Sequence, residues 1–323
     1  MPCQNLILFQ PDLCLEKGMW LKMKIGIDLG GSHIAIGVVT EDGKIVEKLE
    51  KRLTEIEKID LKKSIENSII DVSKNFMEKY EIESIGIAMP GTAINGYVLN
   101  SGNLKLEDYN LAENLQKEIN IPITIRNDAK CAAIAEKNYG CLKGYERSVF
   151  LTLGTGIGGA AFLDNNLLKA GNRPAFEFGH MVIQKDGIQC SCGRKGCFER
   201  YASMKAFKNN LRNALGVDEN TRGQELLEMI RNNKPGNENY DIIEGVVSDF
   251  IDNLGLGIVN LINIFEPQII GIGGSFVYFE DVFLDRLKQR VYKETDGRFS
   301  SKDFTISTAV MGNYAGIIGA TLL

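Results

Sequence analysis

Apolar positions recur along this chain in two rhythms, and the change from one to the other marks out the elements. Short runs rich in β-branched residues read as strands: Lys24–Leu29, Ile34–Thr40, Ile45–Leu53 and Ser84–Met89. Between the third and fourth runs, Leu61, Ile65, Ile69, Val72 and Phe76 fall on one face of a helix predicted over Ile59–Tyr80. Ile121–Ile125 is a further strand, which delivers Arg126-Asn127-Asp128 to a helix over Ala129–Tyr139. A second set follows, with strands at Ser148–Leu153, Ala160–Asp164, Gln268–Ile272 and Thr305–Thr308. Helices are predicted over Arg222–Arg231, Ile242–Phe265, Phe283–Tyr292 and Asn313–Leu323, and Gly255 and Gly257 predict close packing of the long one. The two halves share a pattern of strands and helices, with no repeat of sequence.

Length and composition narrow the class. A chain of 323 residues exceeds what one core usually fills, so two α/β domains are expected. The composition is that of a soluble globular protein, 44% hydrophobic and 24% charged. A net charge of −5 with no basic run argues against a nucleic-acid surface. No apolar stretch approaches the roughly 20 residues a membrane span needs, so no membrane partner is expected. Seven cysteines at irregular spacing suit a reducing, cytoplasmic setting. Residues 1–22 carry the only tryptophan, Trp20, and no periodicity. They read as an extension upstream of a natural start at Met23, of unclear role and too short for a helix-turn-helix domain.

The densest chemistry lies between Glu177 and Glu199. It holds His180, one of two histidines, with Cys190, Cys192 and Cys197. One imidazole and three thiolates make a closed tetrahedral set for Zn²⁺, so a structural ion is expected there. Cys190 and Cys192 stand too close in sequence to bridge each other readily. Gly193 and Gly196 let the backbone turn around the ion.

Two glycine turns offer backbone N–H groups to phosphate. Asp28 ends a strand and is followed by Gly30-Gly31-Ser32, which also fits an ordinary hairpin turn. Gly154-Thr155-Gly156-Ile157-Gly158-Gly159 is a second such turn. The P-loop pattern G-x-x-x-x-G-K-[ST] is absent. Asp128, at a strand-to-helix corner, suits two roles: an N-cap for the helix, or a base that takes a proton from a hydroxyl. Asn127 beside it can both donate and accept, as a hydroxyl ligand requires.

Taken in order, D-L-G-G-S, R-N-D, L-G-T-G-I-G-G, E-F-G-H, C-S-C-G-R-K-G-C-F-E and G-I-G-G-S resemble the ROK family (repressors, open reading frames and sugar kinases) across residues 23–323. The resemblance implies a ribonuclease H/actin-like fold of two α/β domains around an interdomain cleft. The expected domains are 23–130, joined by the C-terminal helix 313–323, and 131–312 with the zinc loop. It also implies transfer of the ATP γ-phosphoryl group to the 6-hydroxyl of a hexose. Glucose is the leading substrate; N-acetylmannosamine, N-acetylglucosamine, fructose and allose kinases share these motifs, and sugar-sensing repressors belong to the same family.

In that reading Asp128 is the catalytic base. Gly91, Thr92, Asn103, Asn127, Glu177, His180 and Glu199 contact the sugar. Gly30, Gly31, Ser32, Thr155 and Gly156 hold phosphates with Asp28 near Mg²⁺, and Gly273 and Gly274 make room for adenosine. A homodimer is expected. The zinc is expected to order the sugar-contacting segments, with the phosphate turns standing apart from it. One departure is visible: the family usually has Ala-Gly before the Glu of E-x-G-H, and this chain has Ala175-Phe176.

Overall fold

A computed structural model describes residues 22–30, 33–54, 57, 59–94, 96–169, 175–296, 298–299 and 303–323. The extension of residues 1–21, and Gly31 and Ser32 of the first glycine turn, lie outside the described residues. The chain divides into two compact units, one reaching to Tyr139 and taking in Asn313–Leu323, the other running from Gly140 to Gly312.

In the first unit, β1 (Met23–Leu29), β2 (His33–Val39) and β3 (Ile45–Arg52) form an antiparallel meander. Helix α1 (Leu61–Lys79) follows, its N-terminus capped by the Asp60 carboxylate, which accepts the Lys63 N–H at 3.2 Å. Its buried face carries Leu61, Ile65, Ile69 and Phe76, the stripe expected from the sequence. Strand β4 (Ile82–Met89) then pairs parallel with β1.

A small three-stranded sheet, β5 (Thr92–Ile94), β6 (Tyr97–Ser101) and β7 (Leu106–Tyr109), comes next; the sequence pattern had not marked it. Each strand is short, and no run of alternation betrays it. Helix α2 (Leu111–Gln116), strand β8 (Ile123–Asn127) and helix α3 (Asp128–Tyr139) complete this part of the unit. The sheet order is β3-β2-β1-β4-β8.

The C-terminal helix, Ala315–Ala320, packs on β1, β4 and α3. Side chains at Gly26 and Gly86 would run into its backbone at Ile317 and Ala320, so two neighbouring strands are stripped to let it approach. The expected boundary at 130/131 would cut α3. The boundary falls after Tyr139, because α3 packs against the C-terminal helix and stays with the first unit.

The second unit repeats the plan. Strands β9 (Ser148–Leu153), β10 (Ile157–Leu163) and β11 (Asn166–Leu167) form a meander. Strands β12 (Ile269–Gly274) and β13 (Thr305–Thr308) add in parallel, giving β11-β10-β9-β12-β13. About a hundred residues lie between β11 and β12; the described ones carry the thiolate loop and the helices α4 (Glu199–Ala202), α5 (Met204–Leu215), α6 (Gly223–Arg231) and α7 (Tyr240–Phe265). Helix α8 (Glu280–Thr295) follows β12. Phe207 of α5, Phe250 of α7 and Phe283 of α8 form an aromatic core with ring centroids 4.9–5.0 Å apart. Among the described residues, no helix is long and apolar enough to cross a membrane.

Candidate functional site

In each unit the chemistry gathers at the carboxyl ends of parallel strands, the edge where open α/β sheets bind ligands. In the first unit, Asp28 on β1 pairs in register with Ala88 on β4, and Met89 with Asn127 on β8. Three adjacent strands therefore deliver Asp28, Gly91 and the Asn127-Asp128 pair to one edge. Gly30 follows Asp28, and its N–H donates to the His33 carbonyl at 2.8 Å. Thr92 opens β5 opposite Asn100, and Asn103 lies in a single 3₁₀ turn, Gly102–Leu104.

The two roles open to Asp128 are separated by its neighbour. Asn127 Oδ1 accepts the Lys130 N–H at 3.2 Å, the bond of an N-cap, while its Nδ2 donates to the Gly91 carbonyl at 3.1 Å. Asn127 is thus both cap and strut. Asp128 becomes the first residue of α3, its Oδ1 accepting the adjacent Ala129 N–H at 2.8 Å.

Asp28 stands in an unfavourable field. Burial, then the Asp128 charge, then that of Glu50 push its carboxyl from 3.8 up to about 7. Glu50 reaches it by register, since Asp28 pairs with Ala35 and Ala35 with Glu50. A side chain at Gly316 would collide with the Asp28 carboxylate, so the C-terminal helix closes over this residue.

In the second unit, the E-F-G-H segment ends in a 3₁₀ turn, Phe178–His180, with Phe178 buried and Glu177 exposed. Phe176, the departure noted in the sequence, adopts φ +57°, a left-handed conformation that favours glycine. Its ring packs against the core of the unit, which supplies the compensating burial.

His180 presents its ring to three sulfurs. The ligand atoms of His180, Cys190, Cys192 and Cys197 all lie within 4.8 Å of one another. Cys190 Sγ is 3.7 Å from His180 Nδ1, and Cys192 Sγ is 3.5 Å from Cys197 Sγ. A tetrahedron with Zn–S bonds of about 2.3 Å has edges of about 3.8 Å, so donor set and spacing both fit Zn²⁺. Burial pushes the Cys190 thiol up and that of Cys197 to about 12, whereas the Arg194 backbone N–H draws Cys192 down. Without a cation the buried pair therefore favours the neutral thiol form, and a metal ion bound here would displace those protons.

The loop needs its glycines: Gly196 has φ +81°, and a side chain there would strike the Gln184 carbonyl. Its exit is anchored by Phe198, fully buried against Gly257 of α7, which is the close approach the sequence pattern predicted.

The second glycine turn does not stand apart from this cluster, contrary to expectation. Glu199 Oε1 lies 3.2 Å from Cys190 Sγ and 3.8 Å from His180 Nδ1. The same carboxylate lies so close to Gly156 that a Cβ there would collide with it. The Lys205 N–H donates to the Gly154 carbonyl at 3.0 Å, and the Gly154 N–H to the Gly156 carbonyl at 3.0 Å. The turn itself is short, Gly154–Gly156. Gly158 and Gly159 already belong to β10, where a side chain at Gly159 would meet Phe150 and Phe178.

Beside that turn lies a pocket of about 430 Å³ lined by Thr155, Lys205, Lys208, Asn209, Arg212 and Ser275. Gly274, at φ +73° and pressed on the Leu153 carbonyl, ends β12 and sets Ser275 at the pocket. Gly273 faces the Phe150 ring and serves packing. The four α5 residues were not foreseen. The buried stripe Met204, Phe207, Leu211 was legible as a signal, and it leaves 205, 208, 209 and 212 on an adjoining face.

Two sheets of one order, each with glycine turns and polar groups at its carboxyl edge, define the actin-like ATPase class of fold. The ROK family profile matches residues 24–323, and the chain belongs to that family. A glucokinase of Thermotoga maritima is 30% identical over 313 residues, covering 92% of this chain and 95% of the relative. A xylose repressor of Bacillus spizizenii is 30% identical over 278 residues, covering 83% of this chain and 68% of the repressor. Among solved structures, a ROK family glucokinase from Streptomyces griseus, in complex with glucose and AMPPNP, superposes with a TM-score of 0.77. It is 25% identical, over 93% of this chain and 98% of that one.

Proposed function

We propose that this chain is an ATP-dependent hexose kinase that phosphorylates the 6-hydroxyl of glucose. The observation that carries the reading is the division of labour at the β8–α3 corner. Asn127 caps α3, and the Asp128 carboxylate beside it, at a ligand-binding edge, is assigned as the base. Asp128 takes the proton of the attacking hydroxyl. Phosphoryl transfer has a loose transition state, so orientation of the hydroxyl contributes more than base strength. Asn127, Glu177, His180 and Glu199 are the residues assigned to that orientation, with Gly91, Thr92 and Asn103.

Two ions belong to this reading. The paired carboxylates Asp28 and Asp128 repel each other and burial raises the first, an environment that a divalent cation relieves. Mg²⁺ held by Asp28 supplies neutralisation of phosphate charge when bound. Zn²⁺ held by His180, Cys190, Cys192 and Cys197 is structural, because four protein ligands close its coordination sphere. Thr155 and Gly156 hold donor phosphates in the second unit, with the nucleoside beside the turn that ends β12; Gly273 and Gly274 themselves serve packing there.

The test is ADP release from Mg-ATP by purified protein across a panel of hexoses and N-acetylhexosamines. Glucose is expected to give the highest kcat/KM. Similarity to a repressor gives the contrary outcome a clear form: sugar binding detected by calorimetry, with no sugar in the panel stimulating ADP release, makes this chain a sensor.

A further inference from the structure

Three sulfurs face one another in the thiolate loop, and they are not equally open to solvent. Among the described cysteines Cys192 alone is exposed, whereas Cys190 and Cys197 are buried. The tip of the loop, residues 191–195, is exposed throughout. Gly193 stands there at φ +88° with open space where a Cβ would lie. Cys197 is held instead: it pairs with Val182 in a single antiparallel bridge, and Phe198 after it is buried against Gly257. One sulfur is thus presented on an exposed turn, and its neighbour is anchored in the core of the unit.

Cys192 Sγ lies 3.5 Å from Cys197 Sγ. A disulfide bond measures about 2.05 Å, so the pair must close by about 1.5 Å, and the exposed turn can supply that movement. Cys190 is the poorer partner for Cys192. One residue separates the two, a spacing that strains a disulfide. The Cys190 sulfur is also engaged elsewhere, 3.2 Å from Glu199 Oε1 and 3.7 Å from His180 Nδ1. Zinc bound in the cluster keeps the sulfurs as thiolates, the form that oxidants attack.

We propose that Cys192 and Cys197 form a reversible disulfide on exposure to hydrogen peroxide, releasing the metal and loosening the link from the thiolate loop through Glu199 to Gly156. The thiol chemistry is independent of the kinase reading; its effect on turnover rests on that reading. In the first step the Cys192 thiolate attacks one peroxide oxygen and the O–O bond breaks. Hydroxide leaves with the electron pair and takes up a proton, and Cys192 becomes a sulfenic acid. In the second step the Cys197 thiolate attacks the Cys192 sulfur, the S–O bond breaks, and a second hydroxide leaves to become water. The sulfurs give up two electrons, peroxide receives them, and two protons from solvent complete two waters. A disulfide is no longer a thiolate ligand, so His180 and Cys190 alone remain of the four donors. Glu199 then sits beside a cluster that no ion holds together.

The experiment uses the full chain, reduced and supplied with zinc, and reads metal and thiols as well as turnover. Hydrogen peroxide is added in steps with a chromogenic zinc chelator present, and about one zinc per chain is expected to appear. Trypsin cuts after Arg194 and Lys195, so the disulfide joins a fragment ending at Arg194 to residues 196–200. Fragmentation of that pair, after iodoacetamide has marked the free thiol, is expected to place the label on Cys190 and the bond at Cys192. Dithiothreitol with added zinc should restore the metal content. Glucose phosphorylation should fall by about tenfold or more on oxidation and return with the metal. Cys192→His keeps a zinc-binding donor without the thiol, and should hold its metal at peroxide levels that strip wild type. Mapping of the wild-type thiols decides the outcome even where that variant fails to fold. A link through Cys190, oxygen added to Cys192 in place of a disulfide, or thiols that stay reduced in excess peroxide overturns the inference. A disulfide that leaves turnover unchanged overturns the coupling through Glu199. Absence of turnover in the reduced chain defeats the kinase reading instead and leaves the thiol result standing.

Discussion

Replacing Asp28 by asparagine keeps the shape of the side chain and removes its charge, which makes the electrostatics of the first unit measurable. In the folded chain this carboxyl titrates near 7 against an ordinary 3.8, with burial the first cause and the Asp128 and Glu50 charges the next. The sign follows from proton binding. Between those two values the folded state holds a proton that the unfolded chain has released, so stability falls as pH rises. Below about 4 the penalty is absent, and above about 7 it is constant. The full shift corresponds to about 4 kcal/mol, of which about 2.6 kcal/mol develops between pH 5 and pH 8. Solvent still reaches this half-buried group, so about 1–3 kcal/mol is the expected observable over that interval.

Asp28→Asn should therefore gain stability over wild type as pH rises from 5 to 8, with the gap in Tm widening by about 3–8 °C. Melting curves in buffer without Mg²⁺ measure it; a chelator is avoided because it would also remove a metal held by the thiolate loop. Other titrating groups are common to both proteins and largely cancel in the difference. Added Mg²⁺ should narrow the gap at pH 8 by stabilising wild type alone. A gap that stays flat from pH 5 to 8, or a variant less stable than wild type at pH 8, would refute the buried, repelled state assigned to Asp28.

Two further outcomes follow from the site. Asp128→Asn should lower kcat by about 10²–10⁴-fold with sugar affinity near that of wild type, because Asn127 and not Asp128 caps α3; equal losses in kcat and sugar binding, read by two-substrate kinetics and calorimetry, would assign Asp128 to pocket shape. Cys192→Ser should lower zinc content and raise KM for sugar and donor together, since Glu199 touches both Cys190 and Gly156; metal analysis and kinetics on the folded fraction check this, and a rise confined to the sugar would mean the carboxylate does not transmit the change.

The sequence by itself determined the parts whose physics is local. Period-2 and period-3.6 patterns placed the long strands and helices, because half-buried elements must alternate their surfaces. The donor set of His180, Cys190, Cys192 and Cys197 was legible because few residue types bind zinc and their clustering in sequence is rare. Asp28, Asp128 and the glycine turns were legible as chemistry at strand ends, and their order carried the family.

What tertiary structure alone decided were relations between residues far apart in the chain. Whether Asp128 caps α3 depended on where the Asn127 side chain points and on the Gly91 carbonyl thirty-six residues earlier. The raised Asp28 carboxyl depends on strand register that sets Glu50 and Asp128 near it, and charge interactions have no periodicity in sequence to reveal them. The contact of Glu199 with Gly156 joins the thiolate loop to the second glycine turn across forty-three residues, and only folding brings them together. The cationic face of α5 reads in sequence as an ordinary solvated surface. It becomes a pocket wall because Phe207 docks into the aromatic core and turns Lys205 and Lys208 toward Thr155.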